Sequence, residues 1–175
     1  MIKKGQWVEF KLNDGTHKGC VISGGKTIKV AFGHNGNSYR TVKASPHHFN
    51  IVPTPNLDDS GIMDAYELKS YKEAGGEETI RFEAKLHKNG KLIAIVSNGG
   101  FGASNDYYPT MKGTWEDIIE YNETVKQWAI HYGDEKPFEP ENNWISWVTT
   151  GKPTGQSAKL FWDDHHEYMS KWSKK

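Results

Sequence analysis

The sequence predicts an α+β protein of two domains, with a small all-β barrel at residues 1–52 and an α+β domain at residues 62–175 in which an antiparallel β-hairpin is packed by two or three helices. Three observations lead there. Apolar and polar residues alternate in short runs through residues 6–52, and each run is closed by Gly, Asn, Asp or Pro. Further on, Lys88-Asn89-Gly90-Lys91 joins two more alternating runs with the dipeptide that favours a type I′ turn. Finally, residues 114–132 and 156–172 repeat apolar residues at helical spacing.

Along the first domain, Val8, Phe10 and Leu12 share one face of a strand and Trp7, Glu9 and Lys11 the other. Asn13-Asp14-Gly15 turns the chain into a second strand at His17–Ser23, and Gly24-Gly25 turns it into a third, where Ile28, Val30 and Phe32 point inward and Lys29 outward. A turn at His34-Asn35-Gly36-Asn37 leads to a fourth strand at Tyr39–Ala44, Ser45-Pro46 breaks it, and Phe49–Val52 forms a short closing strand. So short a sheet removes its edges by closing, so a small barrel is the expectation. His47-His48 reads as a surface pair, because strand neighbours point apart and make poor joint ligands.

Residues 53–61, with Pro53, Pro55, Asp58, Asp59 and Gly61, read as a stiff linker. Ala65, Leu68 and Tyr71 ahead of Gly75-Gly76 predict a short helix within residues 62–74. In the hairpin, pairing Lys88 with Lys91 sets Leu86 opposite Ile93, Ala84 opposite Ile95 and Phe82 opposite Ser97. The glycine-rich run Asn98–Asn105 invites comparison with a phosphate loop. It lacks the helix that must follow directly, and reads as an irregular loop where backbone passes closely. Thr114 and Asp117 open a helix carrying Trp115, Ile118, Ile119, Val125, Trp128, Ala129 and Tyr132; Asn143 caps a short one with Trp144, Trp147 and Val148. A last helix aligns Ala158, Phe161, His165, Tyr168, Met169 and Trp172, followed by a Lys-rich tail.

The formal net charge is zero, yet residues 1–55 carry +6 and residues 56–175 carry −6, so only the first part suits a polyanion. A single cysteine, Cys20, excludes an internal disulfide and a zinc site built on several thiolates. No apolar run is long enough to span a bilayer and the N-terminus lacks the order of a secretory signal, so the expectation is a cytoplasmic chain with no membrane contact.

Lys4-Gly5-x-x-Val8, the Asp14-Gly15 turn, Lys18-Gly19-x-Val21, Lys26-Thr27-Ile28-Lys29-Val30 and Tyr39-Arg40-x-Val42 together resemble the KOW/Tudor type of small barrel, found in ribosomal proteins, transcription elongation factors and chromatin readers. The resemblance covers residues 1–52 and departs from the usual pattern after Phe32. It implies docking on nucleic acid or on a protein of the transcription or translation machinery.

From the residues themselves, Lys11, Lys18, Lys26, Lys29, Arg40 and Lys43, interleaved with Trp7 and Tyr39, are candidates for phosphate contact and stacking. The expected ligand is nucleic acid, duplex DNA before RNA, bound with low sequence specificity and without a cofactor or catalysis, while residues 62–175 engage a protein partner, as in a modulator of transcription. The bland reading of the same lysines is a solubilising surface. Two alternatives stand beside this: a phage or mobile-element modulator that binds host proteins, and a metal-assisted hydrolase using Asp163, His166 and Glu167. The last is weakly signalled, since the spacing forms no two-histidine motif and a solvated helix face accounts for it.

Overall fold

A computed structural model describes residues 1–35 and 38–173. Gly36 and Asn37 of the expected third turn, and Lys174 and Lys175 of the expected basic tail, lie outside the described residues. The described residues form two antiparallel sheets and three α-helices, divided between two compact units: residues 1–59 with 147–175, and residues 60–146.

The first unit holds β1 (Trp7–Leu12), β2 (Gly15–Ser23), β3 (Ile28–Asn35), β4 (Ser38–Ala44) and β5 (Asn50–Val52), with a 3-10 turn at Pro46–His48. Spatial order is β4-β3-β2-β1-β5. Alternation works as expected: Val8, Phe10, Val21, Ile28, Val30, Phe32 and Phe49 form one buried cluster, with Ile2, Leu12, Val42 and Ala44 packed against it. Phe10 meets Phe32 and Phe49 edge-on, with ring centres 5.0 and 5.6 Å apart.

The expected closed barrel is corrected here. No ladder joins β4 to β5 among the described residues, so the sheet is open. The cause is the shortness of β5, which covers only Trp7–Glu9 of β1 and leaves Phe10–Leu12 without a strand on that side.

The domain boundary also differs from the sequence expectation. Residues 147–175, expected in the second domain, belong to the first compact unit, and so do residues 53–59 of the expected linker. A π-helical turn (Trp147–Gly151) and a 3-10 turn (Lys152–Thr154) lead into α3 (Ala158–Trp172), which Ser157 caps. Ala158 N–H donates to Leu57 O at 2.7 Å, tying α3 to the supposed linker, and Trp147 Nε1 donates to Gln156 O at 3.0 Å. On α3 the expected stripe is not the buried one. Ala158 and Trp162 are buried, while Tyr168, Met169 and Trp172 are half exposed or more.

The second unit holds β6 (Tyr66–Ala74), β7 (Arg81–Lys88), β8 (Lys91–Asn98) and β9 (Asp106–Pro109), in that order, with α1 (Trp115–His131) and α2 (Pro140–Ser146). The segment expected as a helix over 62–74 is instead a strand. Its apolar spacing fits either form, and the free edge of β7 supplies the ladder that decides it, with a bulge between Lys69 and Lys72 where Ser70 takes φ +53°. The β7–β8 turn is as expected, Asn89 and Gly90 having φ +49° and +78°, as a type I′ turn requires. The register is not. A bulge after Lys88–Lys91 and His87–Leu92 sets Leu86 opposite Ala94 and Ala84 opposite Val96, so Ile93, Ala94 and Val96 are all buried while Ile95 lies opposite exposed Lys85.

α1 begins with the expected capping box: Asp117 N–H donates to Thr114 Oγ1 at 3.2 Å and Thr114 N–H to Asp117 Oδ2 at 3.0 Å. Ile118, Tyr121, Val125, Trp128 and Ala129 are its buried face, whereas Trp115 and Ile119 are 60% and 67% exposed. Tyr121 gathers Tyr66, Tyr107 and Trp144 at ring separations of 5.4 to 5.7 Å. α2 starts three residues before the expected cap, with Asn143 inside it.

Candidate nucleic-acid interface

Directly opposed residues in an antiparallel ladder share a face, so register places Trp7, Lys11, Lys18, Lys29, Arg40 and Lys43 on the first sheet. Trp7, Cys20, Ala31 and Thr41 form one row across the outer face, since Trp7 opposes Cys20, Cys20 opposes Ala31 and Ala31 opposes Thr41. Toward the β2–β3 turn the next row holds Lys29 directly opposite Lys43. In the other direction lie Lys18, opposite Glu9, and then Lys11, opposite Thr16.

The middle row is not free. Cys20 and Ala31 are 3% and 1% exposed although they lie on the outer face. The turn at 152–155 covers them: Cys20 Sγ donates to Pro153 O at 3.5 Å, and His34 Nε2 lies 2.7 Å from Thr154 O. Gly155, at φ +87°, passes so close to the Trp7 ring that an added Cβ would sit 2.8 Å from it. Trp7 is therefore a packing residue under the C-terminal segment. Burial also pushes the Cys20 thiol pKa up, in spite of the nearby Lys4 ammonium. The sequence held a signal of this cover, for small apolar Cys20 and Ala31 at outward positions have no reason to face water.

The candidates consequently separate into two groups. At the β2–β3 end, Lys29 and Lys43 stand side by side, with exposed Lys26 in the intervening turn. Gly5 N–H donates to Val21 O at 2.8 Å and the Ile2 carbonyl lies beside Gly24, so exposed Lys3 and Lys4, absent from the sequence-derived set, join the same end. Lys11, Lys18 and Tyr39 lie toward the other end. Arg40 is on the inner side, opposite Phe32, with its guanidinium 4.8 Å from the Phe32 ring centre and 3.1 Å from Asp14 Oδ2. Hydrogen bonds from His17 and then Arg40 hold the Asp14 carboxyl below the usual range.

Ion pairing separates the cations further. Of the eight Lys/Arg within residues 1–55, Arg40 alone makes an ion pair among the described residues, and the seven lysines make none. Lys29 and Lys43 are held opposite each other with no carboxylate between them, an arrangement that costs stability unless an anion neutralises it. The charge division is the same across the two compact units. The first unit carries thirteen Lys/Arg against seven Asp/Glu, a net +6, and the second nine against fifteen, a net −6.

The remaining candidates do not converge. Lys159 holds Asp163 at 2.7 Å, Lys171 holds Glu167 at 2.6 Å, and the His166 ring stacks on Trp162. Among the described residues no group of three or more His, Cys, Asp or Glu could hold a metal ion. The 98–105 run is organised by its own backbone and by Asn98, whose side chain accepts from Gly100 N–H at 2.8 Å and donates to Ala103 O at 2.9 Å. Glu78 and Thr79 N–H donate to Gly100 O at 3.0 and 3.3 Å, which ties the loop to the residues ahead of β7. No helix among the described residues is long and apolar enough to cross a membrane. No family model, curated protein or solved structure matches the chain.

Proposed function

We propose that the protein is a non-catalytic, cytoplasmic nucleic-acid-binding protein whose KOW/Tudor-like first sheet contacts the phosphates of duplex DNA with little sequence preference. This rests on the set Lys3, Lys4, Lys26, Lys29 and Lys43, without an ion pair among the described residues and gathered at one end of a unit with net +6. Lysines neutralise phosphates and release counterions, which gives affinity without base readout. Duplex is favoured over single strands because neither aromatic candidate stands among these lysines: Trp7 lies under Gly155 and Tyr39 stands toward the far end beside His34. The acidic second unit is the part suited to a protein partner rather than to nucleic acid.

Mobility shift with the full chain tests this. Affinity for a duplex falls with salt at a log–log slope of roughly −4.5 if the five lysines each neutralise a phosphate. Changing Lys26, Lys29 and Lys43 together to Glu abolishes the shift, while Arg40→Gln changes it little. A salt-insensitive shift, or one that survives the triple change, refutes the reading.

A further inference from the structure

The gap that keeps the first sheet open is a groove of about 330 Å³. Its apolar part is Phe10, Leu12, Val42, Ala44 and Phe49, and polar Glu9, Lys11, His48 and Asn50 complete the lining. Main-chain direction adds a second feature. Val21 N–H donates to Gln6 O at 2.9 Å, and peptide groups of successive residues point to opposite sides of a strand, so even-numbered residues of β1 face β2 and odd-numbered ones face β5. Trp7 and Glu9 find Val52 and Asn50 there. The next odd residue, Lys11, has no strand beside it, which leaves its N–H and C=O facing the groove mouth. Charge is the third feature. Lys11 has no ion pair among the described residues, Glu9 is the one acid in the lining and has Lys18 opposite it, and the whole unit is cationic by six.

An apolar socket beside an unpaired strand edge accepts a peptide that adds as a short strand. We infer that this groove docks a short, extended acidic segment of a partner protein. One aliphatic side chain of that segment enters between Phe10, Val42 and Phe49, and its main chain exchanges hydrogen bonds with Lys11. Side chains alternate along an extended chain, so the neighbours of the inserted residue point outward, where their carboxylates meet the Lys11 ammonium and the cationic surface beyond. Lys26, Lys29 and Lys43 do not line this groove, although Lys43 stands between its lining residues Val42 and Ala44, so the groove adjoins the phosphate-binding end.

Amide resonances of the ¹⁵N-labelled full chain, titrated with the blocked peptide Asp-Glu-Val-Glu-Asp and with its counterpart Lys-Arg-Val-Arg-Lys, test the inference. The acidic peptide is expected to shift Lys11, Val42 and Phe49, to slow amide exchange at Lys11, and to bind at least ten-fold more weakly to Ala44→Leu, which fills the socket. Should Ala44→Leu not fold, Lys11→Glu provides the same comparison at the rim. Shifts confined to Lys26, Lys29 and Lys43, an equal response to the basic peptide, or no shift at millimolar peptide overturns it. So does a duplex oligonucleotide that shifts the groove residues as strongly as the acidic peptide, which would assign the groove to nucleic acid.

Discussion

In the second unit Lys88 reaches Glu120 at 2.6 Å and Asp117 at 3.7 Å, and Asp117 also closes the capping box of α1, so these charges fix a helix on a sheet. Within residues 1–55 seven lysines reach no carboxylate among the described residues, and two of them are set opposite each other in a ladder. Lys88 thus holds structure within the second unit, while the seven lysines of residues 1–55 are left open to a ligand among the described residues. Surface ion pairs contribute little to stability, so the contrast bears on binding far more than on folding.

Perturbations of each unit sharpen this contrast, and the largest is in the first. Trp162 is fully buried on α3, in the C-terminal segment that belongs to the first unit and follows the covering 152–155 turn. Trp162→Ala is expected to cost about 3–5 kcal/mol, read as a fall in denaturation midpoint. The same change should accelerate alkylation of Cys20, whose protection comes from the 152–155 turn. A destabilised variant with Cys20 still protected would mean that the cover does not depend on α3.

A smaller effect is expected at the start of α1. Thr114→Ala removes the acceptor for Asp117 N–H and should cost about 1 kcal/mol, whereas Thr114→Ser should recover most of it. Neither change should alter DNA affinity, and a loss of binding there would place the second unit in the interface.

That helix start was legible from Thr114 and Asp117 because a cap is a local matter of two side chains and two amides. The Asn89-Gly90 turn was legible for the same reason. What could not be read locally is what a distant partner decides. Residues 66–74 became a strand because β7 offered an edge, and a single bulge beyond that turn exchanged Ile95 for Val96 on the buried face. The candidate site shows the same division. The lysines were visible as composition, but only register separates Lys29 and Lys43 from Arg40, and only the fold of residues 152–155 packs Gly155 against the half-buried Trp7.

Relieving the lysine pair is the next smaller perturbation. Lys43→Thr sets a neutral β-former opposite Lys29 and should raise stability by a few tenths of a kcal/mol while weakening DNA binding, read from denaturation and mobility shift together. A change that lowers both would make Lys43 a structural residue and remove the cost that now speaks for a ligand.

The second unit holds a matching cost, and its pH dependence exposes it. Glu141, in the first turn of α2, is half-buried, and burial, with the neighbouring Glu139 carboxylate, pushes its pKa up against a backbone hydrogen bond that lowers it. A carboxyl whose folded pKa is raised binds its proton more tightly in the folded state. Its contribution to stability is therefore complete below the unfolded pKa, about 4.3, and is lost as pH climbs from there through the folded value. Glu141→Gln cannot ionise and escapes that loss. The variant's advantage in denaturation midpoint should be smallest near pH 4, grow as pH rises and level off once Glu141 is fully ionised. An advantage that stays constant with pH would assign it to packing, and a Gln variant less stable at pH 7 would show that the α2 dipole, which favours an anion at this position, outweighs the burial.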